Sequence, residues 1–163
     1  METFWIKPKL YFGPEPMAAL DQLAGKRVLI VTDAFLASSG LLDRVKNRLT
    51  GAVEIFDQVE PDPSLRLVAQ GVRMLRDFGP DAVVAFGGGS PMDCAKAMLE
   101  FGKKLGTGAD IRFVAVPTTA GTGSEATKFT VISDTDKGIK MLLKGDVLLP
   151  AIAVVDPSFT VET

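Results

Sequence analysis

The sequence contains no histidine and only one cysteine among its 163 residues. Without an imidazole, this chain cannot assemble a Ser-His-Asp or Cys-His catalytic group. The usual nitrogen ligands of zinc and iron are also absent, and one thiol cannot replace them. Any general acid or base supplied by this chain must therefore be a carboxylate, a lysine or a tyrosine.

Further absences narrow the class of protein. The single cysteine, Cys94, excludes an internal disulfide and agrees with a reducing compartment. No apolar run approaches the length that spans a membrane, and the first residues lack the pattern of a signal peptide. The formal net charge is −2, so the chain has no basic footprint for nucleic acid. We therefore expect a cytoplasmic protein that binds neither membranes nor nucleic acid.

The composition that remains is typical of a globular domain, with 47% hydrophobic and 23% charged residues. Continuous apolar runs at 28–31, 82–86 and 113–116 alternate with segments of helical periodicity. Such strands indicate a parallel sheet covered by helices on both faces. Residues 129–143 predict an additional small β-hairpin. Because no linker divides the chain, we predict a single α/β domain over residues 1–163.

A glycine loop, Gly87-Gly88-Gly89-Ser90-Pro91, separates one of these apolar runs from a helical segment. Glycines let the backbone turn sharply and approach a ligand closely. We predict Ser90 as the N-cap and Pro91 as the first helical residue, with Asp93 adding a capping-box contact. A helix start of this kind presents free N–H donors and the positive end of the helix dipole, which favours a bound phosphate. The alternative is a tight turn that serves only packing.

Three polar features follow strands of the predicted sheet and should therefore share one edge. They are Asp33, the glycine loop and the pair Thr118-Thr119. In parallel sheets, ligands bind beyond the carboxyl ends of the strands. Asp33 can accept hydrogen bonds from ribose hydroxyls, as the acidic residue of a dinucleotide site does, or it can cap the helix that follows.

A second motif, which we call the threonine segment, spans residues 117–125 (Pro-Thr-Thr-Ala-Gly-Thr-Gly-Ser-Glu). Its hydroxyls and small residues can line a pocket for a sugar, a phosphate or a ring amide, although a Ser/Thr-capped helix start explains part of it equally well. Neither motif contains the lysine of a nucleotide-hydrolase loop or forms a nucleophile elbow. The pattern alone predicts a nucleotide- or phosphate-binding α/β domain.

Together and in this order, the two motifs resemble those of the iron-containing (group III) alcohol dehydrogenase family. That family carries a Gly-Gly-Gly-Ser-x-x-Asp loop, here residues 87–93, and a Pro-Thr-Thr-x-Gly-Thr-Gly-Ser-Glu segment, here residues 117–125. Residues 31–33, 60–63 and 154–157 are also similar to family segments. The resemblance implies a Rossmann-like fold and an NAD-dependent oxidoreductase that transfers hydride between a primary alcohol or aldehyde and nicotinamide.

The resemblance also implies a set of cofactor contacts. Gly88, Gly89 and Ser90 would hold the pyrophosphate, and Asp33 would face the adenosine ribose and favour NAD over NADP. Thr118, Thr119 and Thr127 would line the cleft toward the nicotinamide. Lys140 resembles a cofactor-facing lysine, although an exposed strand lysine is an equal reading. The full set expected at the cofactor is Asp33, Asp62, Gly87, Gly88, Gly89, Ser90, Asp93, Thr118, Thr119, Thr122, Thr127 and Lys140.

The chain departs from the family at its C-terminus. Family members continue into a helical domain that supplies one Asp and three His as ligands of iron or zinc. This chain ends at Thr163, so we expect it to bind the dinucleotide, to bind no metal and to be inactive alone. The alternatives are a non-catalytic nucleotide-binding or assembly module and a fragment of a dehydroquinate-synthase-type cyclase. The family often pairs through its N-terminal region, so residues 10–12 are a candidate edge strand of a homodimer.

Overall fold

The computed structural model describes residues 1–3, 6–107 and 110–162. Eight strands, five α-helices and three 3₁₀ helices form its regular structure. They occur in the order β1 (Lys9–Tyr11), a 3₁₀ helix (Pro16–Leu23), β2 (Val28–Val31), α1 (Ala34–Ser38), α2 (Leu41–Lys46), β3 (Val53–Phe56), α3 (Leu65–Phe78), β4 (Ala82–Gly87), α4 (Gly89–Lys104), β5 (Arg112–Pro117), a 3₁₀ turn (Ser124–Ala126), β6 (Phe129–Asp134), β7 (Ile139–Lys144), a 3₁₀ turn (Asp146–Leu148), β8 (Ile152–Val154) and α5 (Pro157–Glu162).

Six of the strands form a parallel sheet in the order β1-β8-β5-β4-β2-β3. The chain runs from β2 outward to β3 and then returns to place β4 on the other side of β2. This reversal is a topological switch point, and it opens a crevice at the carboxyl ends of β2 and β4. The antiparallel pair β6–β7 is the predicted hairpin. The predicted α/β class, with a parallel sheet and a separate hairpin, is therefore confirmed.

Helices cover both faces of the sheet, and alternate residues of each strand enter two separate cores. On β2, Val28 and Ile30 face the first core, which is closed by the N-terminal 3₁₀ helix, α1, α2 and α5. Leu29 and Val31 face the second core, which is closed by α3, α4 and the hairpin. Burial on both sides explains why these strands are continuously apolar.

The helix boundaries differ from the sequence prediction at the glycine loop. The N-cap of α4 is Gly88, which provides no side-chain cap, and the helix begins at Gly89. Ser90 and Pro91 are therefore the second and third helical residues, and the predicted capping roles of Ser90 and Asp93 are wrong. Pro91 is still tolerated, because the first N–H groups of a helix have no intrahelical partner. Gly40 is likewise the N-cap of α2 and provides no side-chain cap.

Helix α4 is enclosed on almost every side. It contacts β4 on the sheet, α3 beside it and β6 of the hairpin across from the sheet. Its buried residues therefore extend around the helix rather than along one stripe, and they include Cys94 and Lys96. In the described part of the chain, no helix is long and apolar enough to cross a membrane.

Candidate functional site

A cleft of about 520 Å³ lies at the sheet edge predicted from the strand ends. Four loops contribute to it, each following the carboxyl end of a different strand. Its lining includes Asp33 after β2, Glu60 after β3, Gly88 to Pro91 after β4, and Thr118 and Thr119 after β5. Six of the predicted site residues therefore come together here: Asp33, Gly88, Gly89, Ser90, Thr118 and Thr119.

The start of α4 is the most polar wall of this cleft. Among the described residues, none accepts a hydrogen bond from the backbone N–H of Gly88, Gly89 or Ser90. The first backbone bond of the helix runs from the Met92 N–H to the Gly88 carbonyl. Uncommitted N–H groups and the positive end of a 16-residue helix make this position suitable for a phosphate anion.

The glycines of the loop are explained largely by packing within the protein. Gly87 has φ +149°, and a Cβ at this position would lie 2.6 Å from Pro91 Cγ. A Cβ on Gly88 would lie 3.1 Å from Thr119 Cγ2, and one on Gly89 would lie 3.1 Å from Thr122 Cγ2. The threonine segment therefore packs directly on the glycine loop. The uncommitted backbone N–H groups at the start of α4, rather than the number of glycines, therefore indicate an anion site.

Asp33 performs the capping role that the sequence allowed and also borders the cleft. Its Oδ1 accepts a hydrogen bond of 2.8 Å from the Leu36 backbone N–H, which caps α1. A carboxylate has further acceptor positions, so the cap leaves capacity for ligand hydroxyls. The ring of Phe35, 63% exposed, lies beside it in the lining of the same cleft. Phe35 was not among the residues predicted from the sequence, although its place directly after a strand end and Asp33 was a usable signal.

Other predicted site residues lie outside the lining of the cleft. Asp62 and Lys140 form an exposed ion pair of 3.7 Å between the β3–α3 loop and β7. Asp93 faces β6, where burial raises the pKa of its carboxyl while hydrogen bonds from Thr130 and Val131 and the charge of Lys96 partly oppose the shift. Gly87 is buried at the end of β4.

Thr122 and Thr127 act within the protein. The Ser124 backbone N–H and hydroxyl both donate to Thr122 Oγ1, at 3.3 and 3.0 Å. The hydroxyl of Thr127 accepts a hydrogen bond of 3.0 Å from Lys96 Nζ. Lys96 was not among the residues predicted from the sequence, where it stands as the one charged residue in the run Cys94-Ala95-Lys96-Ala97-Met98.

The described residues hold no group of three or more His, Cys, Asp or Glu side chains that could bind a metal ion. Asp156 has a structural role instead. It accepts a hydrogen bond from the Ser158 N–H at the start of α5 and pairs with Arg44 at 3.1 Å. The described residues therefore do not fit an iron or zinc centre.

A second cavity of about 410 Å³ lies between α3 and the C-terminal part of α4. It is lined by apolar side chains such as Val72 and Phe101, with Arg73 and Arg76 among its lining residues. It is not at the carboxyl ends of the strands and its lining contains no glycine loop, so it lacks the features that favour a nucleotide.

Comparisons with known proteins agree with the motifs. The sequence profile of iron-containing alcohol dehydrogenases matches residues 7–157. The 1-propanol dehydrogenase PduQ of Salmonella typhimurium is 42% identical over 164 residues, which cover 99% of this chain and 44% of that protein. The NAD-dependent methanol dehydrogenase of Bacillus methanolicus is 37% identical over 180 residues, covering 99% of this chain and 47% of that protein.

Solved structures agree as well. The crystal structure of sulfoacetaldehyde reductase from Bifidobacterium kashiwanohense in complex with NAD⁺ matches with a TM-score of 0.86 and 28% identity, over 98% of this chain and 47% of that one. The chain thus spans less than half the length of each of these three proteins. The cyclase alternative gains no support from these matches.

Proposed function

Because the chain belongs to the iron-containing alcohol dehydrogenase family, we propose that residues 1–163 form one NAD-binding domain of a metal-dependent alcohol dehydrogenase. The observation that carries the proposal is the set of uncommitted backbone N–H groups of Gly88, Gly89 and Ser90, which face a cleft bordered by Asp33. The pyrophosphate would bind these N–H groups, and the adenosine ribose would lie near Asp33. The exposed ring of Phe35 offers a surface on which the adenine can stack.

NAD is favoured over NADP because the Asp33 carboxylate would repel a 2′-phosphate. The nicotinamide would extend toward Thr118 and Thr119, which line the cleft after β5. Five other predicted residues lie outside the lining of the cleft and would contact the cofactor only after a change of conformation: Asp62, Asp93, Thr122, Thr127 and Lys140. When bound, NAD accepts a hydride from an alcohol carbon, or NADH donates one to an aldehyde.

In the proposed reaction, this chain binds and orients the dinucleotide. The described residues hold no group of three or more His, Cys, Asp or Glu side chains, and the metal that would polarise an alcohol or aldehyde oxygen would be held by the helical half that the family resemblance implies. We therefore propose that the 163-residue chain alone has little or no dehydrogenase activity. A homodimer through the edge strand β1, where Leu10 is 40% and the adjoining Phe12 76% exposed, is part of the same proposal.

Calorimetric titration of the purified chain with NAD tests the proposal. We expect saturable binding that a Gly88→Val substitution weakens at least tenfold, because the added methyl groups would crowd Thr119 and cover the N–H groups. Gly145→Val is the matched control. Its φ is 172°, an extended conformation, and its added Cβ would meet only Glu100 Oε2, at 3.8 Å.

An absence of NAD binding by the folded wild-type chain would overturn the proposal. Metal-dependent oxidation of NADH with a short aldehyde by the pure chain would overturn its expected inactivity. If NAD binds and the addition of the family's helical half restores no turnover, the non-catalytic alternative is favoured instead.

A further inference from the structure

Lys96 is a positively charged side chain that is fully buried in the protein interior. Burying an ammonium group is unfavourable unless its charge and its N–H donors are compensated. In the described part of the chain, no carboxylate oxygen lies within salt-bridge distance of its Nζ. Asp93 and Glu125 are the charged groups that act on it, and they do so from farther away. The compensation must therefore come mainly from uncharged groups.

Four oxygen atoms supply that compensation. Lys96 Nζ donates to the backbone carbonyls of Ser124 at 2.7 Å, Thr127 at 2.9 Å and Phe129 at 3.1 Å. It also donates to Thr127 Oγ1 at 3.0 Å. Three carbonyls and one hydroxyl around a single positive charge form a cage similar to those that proteins build for monovalent cations. We call this arrangement the carbonyl cage.

The carbonyl cage is formed by a part of the chain with little regular structure. Between the end of β5 at Pro117 and the start of β6 at Phe129, the only regular element in the described chain is the 3₁₀ turn Ser124–Ala126. Carbonyl groups in such a segment lack the ladder partners that strands provide. A single ammonium that binds two of them, those of Ser124 and Thr127, together with the carbonyl of Phe129 at the start of β6, can therefore determine where this segment lies against α4.

The cage is connected to the cleft by direct contacts. Ser124 accepts from Lys96 through its carbonyl and donates to Thr122 through its N–H and its hydroxyl. Thr122 in turn packs over Gly89, the first residue of α4. Gly89 and Lys96 are seven residues apart on this helix, so they lie on the same face, about 10 Å from each other. One face of α4 therefore presents free N–H groups at its start and holds the threonine segment two turns later.

We propose that Lys96 is a positioning residue of the cofactor site, whose ammonium in the carbonyl cage holds the threonine segment over the N–H groups at the start of α4. The inference rests on the proposed function in one respect, that NAD binds in this cleft. Lys96 itself does not contact the cofactor. Its effect on binding passes through Ser124 and Thr122.

The test uses Lys96→Met, which retains an unbranched side chain but removes the charge and the donors, and Lys96→Ala, which leaves space for a small ligand. Lys103→Ala is the matched control, since Lys103 is an exposed lysine on the same helix. NAD affinity is measured by calorimetry at a temperature where circular dichroism shows each variant to be folded. We expect both Lys96 variants to bind NAD at least tenfold more weakly than the wild type, and the control to bind within twofold of it.

Chemical rescue separates this role from simple packing. In Lys96→Ala, n-propylammonium can occupy the vacated space and donate to the cage, and we expect it to restore NAD affinity at least threefold. At equal ionic strength, tetramethylammonium has no N–H donor and 1-propanol has no charge, so neither should do so. A folded Lys96→Met that binds NAD within twofold of wild type would overturn the inference, as would equal rescue by 1-propanol.

A readout that needs no cofactor keeps this inference distinct from the proposed function. Amide hydrogen exchange in residues 118–129 should accelerate at least tenfold in Lys96→Met, while exchange in β2 stays unchanged. If the wild type binds no NAD but this acceleration occurs, the proposed function fails and the cage still positions the segment. If the wild type binds NAD and the exchange in residues 118–129 is unchanged in Lys96→Met, the positioning role is wrong.

Discussion

Replacement of Asp33 should separate its structural role from its role in cofactor selection. The structure shows one hydrogen bond of 2.8 Å from the Leu36 N–H to Asp33 Oδ1, which caps α1. Asp33→Asn keeps an acceptor oxygen for this bond but removes the charge. Asp33→Ala removes both, and loss of an N-cap costs about 1 kcal/mol, which lowers Tm by about 2–4 °C in a chain of this size. We therefore expect Asn to leave Tm unchanged and Ala to lower it.

The charge of Asp33 matters for NADP. At about 6 Å and an effective dielectric constant of 20, a 2′-phosphate would be repelled by about 3 kcal/mol per unit charge. Salt reduces this repulsion to about 1–2 kcal/mol, which corresponds to a factor of about 5–30 in Kd. Asp33→Asn should therefore bind NADP about 5–30 times more tightly than the wild type, with a much smaller change for NAD.

The assay is calorimetric titration of each variant with NAD and with NADP, beside thermal unfolding followed by circular dichroism. Asp43→Asn is the matched control, because Asp43 lies in the first turn of α2 and outside the lining of the cleft. An unchanged NADP affinity in an Asp33→Asn variant that still binds NAD would refute the placement of Asp33 beside the ribose. An equal loss of Tm in the Asn and Ala variants would refute the capping argument.

Two further predictions concern the interior of α4. Burial raises the pKa of the Cys94 thiol to about 12. Iodoacetamide at pH 8 should therefore leave Cys94 unmodified in the folded chain and modify it in guanidinium chloride. Modification of the native chain at the rate of a free thiol would contradict this prediction. Burial lowers the pKa of Lys96 from 10.5 to about 8, although the charges of Asp93 and Glu125 oppose the shift. Between those two pH values the unfolded state binds more protons than the folded state. The free energy of unfolding contributed by Lys96, measured in denaturant titrations, should therefore rise from about pH 8 to about pH 10. The same rise in Lys96→Met would show that another group causes it.

The positions of the strands could be predicted from the sequence, and so could much of the cleft. Continuous apolar runs such as 28–31 and 82–86 occur because these strands are buried on both faces, and this pattern is local. Once the strands are parallel, the residues that follow them must meet at one edge. Asp33, Gly88 and Thr118 were therefore placed together by connectivity alone, and the structure brings them into one cleft.

Other features depended on the packing of distant segments. The start of α4 at Gly89 rather than Pro91 follows from the extended conformation of Gly88 (φ −85°, ψ −154°), against which Thr119 packs. Helix-capping preferences favoured Ser90 because they describe only the nearest residues. Likewise, the ion pair between Asp62 and Lys140 requires the hairpin to lie beside the β3–α3 loop, which no short-range pattern indicates.

Lys96 shows what the sequence determines and what only the tertiary structure decides. The sequence by itself determined that a lysine stands in an apolar run of a helix, and a lysine in that setting is equally compatible with an exposed face. Only the tertiary structure decided that it is buried, because the carbonyls that accept its hydrogen bonds come from residues 28 to 33 positions farther along the chain. Local propensity depends on neighbours within a few residues. Whether a charge can be buried depends instead on the polar groups that the complete fold places around it.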